Sequence, residues 1–164
     1  MSERDPHNLQ RFVTAQAEDY PCALRELERG QKESHWIWYI FPQVAGLGHS
    51  PTAQQYGIRS RDEAVAYLAH PVLGARLQQC CEALLKHQGT RIQDIMGFPD
   101  DLKLRSSMTL FATLSSQDSV FHKVLAAFYS GHLDDRTLAF LKSSSPVIKE
   151  ASPRKSAKDA KGTD

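Results

Sequence analysis

The chain has no run of apolar residues long enough to cross a bilayer, and no apolar N-terminal segment of signal-peptide type. That leaves the cytoplasm as the expected compartment. It has few cysteines, and Cys22, Cys80 and Cys81 are an odd set without regular spacing. Such a set makes a poor disulfide framework and fits a reducing environment. Its seven histidines are scattered, with no HxxxH pair and no cysteine pair at ligand spacing, so neither a metal nor another cofactor is expected. It also lacks a dominant charge. The tail from Ser143 onward holds five basic and three acidic residues, so a chain at +1 leaves a body at −1. A near-neutral body gives no electrostatic basis for gripping duplex DNA or RNA. No internal repeat is present, and no segment alternates convincingly as a strand does.

What the chain has is an ordinary globular composition, 41% apolar and 24% charged over 164 residues. One domain is expected over residues 1–142, with a disordered Ser/Lys/Ala/Pro-rich tail at 143–164. Its most unusual stretch runs from Gly30 to Ser50. Trp36, Trp38, Tyr39 and Phe41 stand within six residues, Pro42 follows, and Gly46 and Gly48 come next. Side chains this large seldom stay in water together. Ser34 is placed to cap a short helix over 35–41, which Pro42 would end. A buried strand competes, because aromatic and β-branched residues favour strands; the helical character of the remainder favours the helix.

Elsewhere the punctuation is helical. Asp5-Pro6 reads as a cap and first helical proline, followed by Leu9, Phe12, Val13 and Gln16 at helical spacing. A second helix is expected to open at Pro21, bury Leu24 and Leu27, and stop at Gly30, with Arg25, Glu26, Glu28 and Arg29 as its solvated face. Ser60-x-x-Glu63 and Thr90-x-x-Gln93 have the capping-box pattern. Later helices are expected to start at Pro99-Asp100-Asp101, at Asp118 and at Asp134. The fold class is therefore all-α, a single-domain array of about eight short to medium helices with no substantial sheet.

Lys32-x-Ser34-His35-Trp36-x-Trp38, Phe41-Pro42-Gln43, Gly46-Leu47-Gly48 and Ser50 resemble a bacterial family of unknown function, some of whose members are labelled "calpastatin". The likeness continues through Ala64-x-x-Tyr67-Leu68-x-x-Pro71-x-Leu73-Gly74-x-Arg76-Leu77. It extends to Pro99-Asp100-Asp101-x-Lys103-Leu104-x-Ser106-Ser107-Met108-Thr109-Leu110-Phe111. It covers about residues 8–142. The resemblance implies a mainly helical single domain and brings no activity, substrate or catalytic residue.

Two polar clusters interrupt the apolar sequence. In the first, Gly46, Gly48 and Ser50 precede the helix start at Pro51, where free N–H groups suit an anion. A glycine turn ending in an ordinary cap reads the same residues, and the spacing is not that of a phosphate-binding loop. Lys32 and His35 stand near. His35 suits a general base or a structural hydrogen-bond donor, and Gln43 a ligand amide or the loop backbone. The second cluster is Asp100, Lys103, Ser106 and Ser107. Asp100, Lys103 and Ser107 share a helical face at i, i+3 and i+7. A Lys103–Ser107 dyad would need a desolvated lysine, and a serine bonding its own helix is the alternative.

If the clusters meet, Lys32, His35, Gln43, Ser50, Lys103 and Ser107 form a compact, partly basic pocket walled by Trp36 and Trp38. Three functions compete for it. One is binding of a small anionic or nucleotide-like ligand. Another is hydrolysis through His35 or Lys103/Ser107. The last is a protein-interaction module in which the polar groups only lock helices together.

Overall fold

The computed structural model describes residues 5–143, and the tail expected at 143–164 lies outside them except for Ser143. The described residues form nine α-helices and no strand. They are α1 (Gln10–Arg29), α2 (Ile37–Ile40), α3 (Pro51–Tyr56), α4 (Arg61–Ala69), α5 (Leu73–Leu85), α6 (Ile92–Met96), α7 (Asp100–Thr113), α8 (Val120–Tyr129) and α9 (Asp135–Ser143). The all-α expectation holds.

One buried cluster runs through the molecule, from Phe12 and Leu27 on α1 to Leu141 on α9. Helix α7 crosses it, touching α8, α9, α6, α4 and α2, and buries Leu104, Met108 and Phe111. The α2 segment is enclosed: Trp36, Ile37, Ile40 and Phe41 are buried and only Trp38 keeps a partly open ring. A helix apolar on every side belongs inside the core, which explains why four residues suffice without a cap.

Several local expectations are corrected. The two segments expected to meet at Pro21 are a single helix, α1, with Pro21 inside it. Burial of Phe12, Gln16, Ala23 and Leu27 along one stripe outweighs the proline's penalty. Ser34 does not cap α2; Trp36 occupies that position, and the Ser34 hydroxyl donates to Glu26 instead. The Thr90 box does not form, since Arg91 stands at the cap of α6 with no side-chain bond. Ser119, rather than Asp118, caps α8. Ser60 does cap α4, but Glu63 turns back to the Arg59 N–H and forms an ion pair with Arg11 at 2.7 Å.

Candidate functional site

The aromatic loop is held by a residue that sequence reasoning placed on the solvated face. Glu26 is buried and accepts the N–H groups of Glu33 and Ser34, the Ser34 hydroxyl and the Trp36 indole N–H. Burial pushes its carboxyl up, but the Ser34 hydroxyl, the two backbone N–H groups and the indole outweigh it and bring the pKa to about 2. The signal was available: Glu26 follows Ala23 by three residues on the buried stripe of α1. Its charge argued against burial, and the donors that make burial tolerable lie in the next loop.

The Lys32 N–H donates to the Ile95 carbonyl at 2.7 Å, and its ammonium forms an ion pair with Asp100 at 2.7 Å. The same ammonium lies 4.8 Å from the Trp36 ring centroid. Asp100 also faces Lys103 at 3.6 Å, and Lys103 stands 5.2 Å from the Trp38 ring centroid, within cation–π range. The aromatic loop and the N-terminal half of α7 are thereby joined through one carboxylate shared by two lysines.

Beside this junction lies a hollow of about 210 Å³. Pro99, Leu102, Lys103 and Ser106 line one wall, the i, i+3, i+4, i+7 stripe of α7. Gln43, Leu47 and Gly48 make a second wall. That loop is fixed by Ile58, whose N–H donates to the Gln43 carbonyl and whose carbonyl accepts from the Ala45 N–H, both at 2.8 Å. At Gly48 a Cβ would come within 2.7 Å of the Ala53 Cβ, so the close approach to α3 requires glycine. Arg105, Asp134 and Arg136 complete the lining. Thr109 accepts the Asp134 N–H at 2.9 Å, which ties the start of α9 to α7. Asp134 caps α9 through Thr137 and pairs with Arg105 at 3.8 Å.

Of the residues singled out from the sequence, Gln43, Gly48, Lys103 and Ser106 therefore line the hollow, and Lys32 and Asp100 adjoin it as a pair. Trp36 is buried beneath Lys32. Trp38 borders a smaller crevice that shares Gln43 and Gly48. The others stand apart. His35 is exposed, and its carbonyl, not its ring, accepts from the Tyr39 hydroxyl. Ser50 caps α3 by accepting the Ala53 N–H at 3.1 Å. Gly46 is an exposed turn residue at φ 96°. Ser107 lies on the core stripe with Leu104 and Phe111, wholly buried, its hydroxyl without a hydrogen-bond partner among the described residues. Ser106, one residue earlier and about 100° around the helix, bonds the Leu102 carbonyl.

Sequence reasoning missed Arg105, Asp134 and Arg136. Arg105 was legible as a second cation two residues beyond Lys103. Nothing in the order of residues announces that α9 folds back onto that wall. Among the described residues, no group of three or more His, Cys, Asp or Glu side chains is placed to hold a metal.

A family model described as "Protein of unknown function (DUF1810)" matches residues 6–141. The chain belongs to that family. A similar solved structure is the crystal structure of the conserved hypothetical protein Rv1873 from Mycobacterium tuberculosis. It is 50% identical, the match covers 84% of this chain and 99% of that chain, and the TM-score is 0.82. No curated protein matches. This DUF1810 member shares the helical fold with its mycobacterial relative, and neither description supplies an activity. Among the described residues, no helix is long and apolar enough to cross a membrane.

Proposed function

We propose that the hollow between α7, the Gln43–Gly48 loop and the start of α9 binds a small anion. The observation that carries this reading is its charge: Lys103, Arg105 and Arg136 line it against the single carboxylate of Asp134. Arg136 makes no ion pair among the described residues. Size narrows the ligand. At about 210 Å³ the hollow falls below the roughly 300–1,000 Å³ of pockets for larger ligands and suits an anionic group with a few further atoms. A whole nucleotide would have to extend past the mouth. Lys32 supports the site rather than reaching the ligand, because its ammonium is buried against Asp100.

The hydrolytic alternative has less support. Lys103 bonds neither Ser106 nor Ser107, and the Ser107 hydroxyl is sealed in the core. His35 is exposed and is not among the lining residues. The interaction-module alternative draws on the exposed side chains of Phe98 and Leu102 beside the Pro99 wall.

Thermal shift and titration calorimetry with small anions test the reading. A ligand at one hundred times its Kd adds about 2.7 kcal/mol of stability, which appears as a rise of several degrees in Tm. Lys103→Met should weaken binding about tenfold, the loss of one charge-assisted contact, while Lys32 keeps Asp100 paired. If no small anion raises the Tm or releases heat, the reading fails.

A further inference from the structure

We infer that the group held in the hollow is a dianion with tetrahedral oxygens, in chemical class a phosphate monoester, rather than a monocarboxylate. This rests on the anion-binding reading above and adds the ligand's charge and shape. The local charge sets the first term. Lys32, Lys103, Arg105 and Arg136 stand against Asp100 and Asp134, so two positive charges are left over. Leaving out the Lys32–Asp100 pair gives the same excess from the lining residues alone. Asp101, the next carboxylate along α7, is buried, and its carbonyl accepts from the Tyr129 hydroxyl of α8; it is not among the lining residues. Both left-over charges attract a dianion, and a monocarboxylate gains less from the same cations, so the excess favours the dianion.

Shape is the second term. The cations come from different directions: Lys103 and Arg105 are two residues apart on α7, and Arg136 arrives from α9. A planar carboxylate offers two oxygens to three cationic groups. A phosphate offers three oxygens besides its ester link, and arginine suits phosphate through its fork of N–H donors. Arg105 is held by Asp134 through Nη2, and its buried Nε has no partner among the described residues. Leu47 and Leu102 in the same lining offer apolar surface to a short carbon body on the ester.

The test compares inorganic phosphate, sulfate, malonate and acetate by calorimetry and thermal shift at one pH and constant ionic strength, on the full chain and on Arg136→Gln. Arg136 is exposed, so this variant is expected to keep the unliganded Tm. Phosphate and sulfate should bind at least about tenfold more tightly than acetate, and Arg136→Gln should shrink that preference to about threefold or less. Acetate binding as tightly as phosphate overturns the dianion and leaves an anion pocket standing. Malonate binding tightly while phosphate does no better than acetate overturns the tetrahedral class. Silence from all four anions overturns the pocket itself.

Discussion

Glu26 shows how one side chain can organise a loop it does not belong to. Four donors from residues 33–36 converge on its carboxylate, and protonating it would spoil the arrangement. Its pKa is lowered from 4.5 to about 2 in the folded protein. A depressed carboxyl stabilises the fold above its unfolded pKa, and this contribution is lost as the pH falls through its folded value. At 1.36 kcal/mol per unit, the contribution is about 3 kcal/mol, present at pH 6 and drained between about pH 5 and pH 2. Urea unfolding across that range should show the decline in the parent chain. Glu26→Gln should be less stable at pH 6 by about 2–4 kcal/mol, with a flatter pH profile. Equal slopes for the two proteins would remove Glu26 from the account.

The helices carry two predictions of opposite sign. Pro21 sits in the twelfth position of α1, exposed, where it supplies no N–H to the helix ladder. Pro21→Ala restores that bond and removes the ring's clash; part of the gain is offset by a looser unfolded chain. A net stabilisation of about 1–2 kcal/mol is expected, read as a rise in Tm. At Gly74, in the first turn of α5, a Cβ would run into the Leu68 carbonyl oxygen at the end of α4. Since that obstacle is backbone, Gly74→Ala should cost about 1–3 kcal/mol, and an unchanged Tm would mean that the α4–α5 corner yields freely. Both residues stand in plain view in the sequence. Only the packing distinguishes the expendable proline from the required glycine.

At the scale of the molecule, all nine described helices contribute to or pack on one core, which contains Trp36 with Trp38 packed against it. Such a body should unfold in a single step. Tryptophan fluorescence reports only on the α2 region and far-UV circular dichroism on every helix, so their denaturant midpoints should coincide. Two separated midpoints would show that the aromatic loop, and with it one wall of the hollow, comes away before the rest.

Helical class, the end of α1 at Gly30, the caps at Ser60 and Asp134 and the enclosure of the aromatic run were all legible along the chain. Each depends on neighbours within a few positions, where spacing and residue type carry the physics. The union of Pro21's two flanking segments, the burial of Glu26 and the arrival of Arg136 beside Lys103 were settled only by folding. In each, a residue's energy depends on partners distant in sequence: a core that outweighs a proline, donors that satisfy a charge, and a returning helix that completes a hollow.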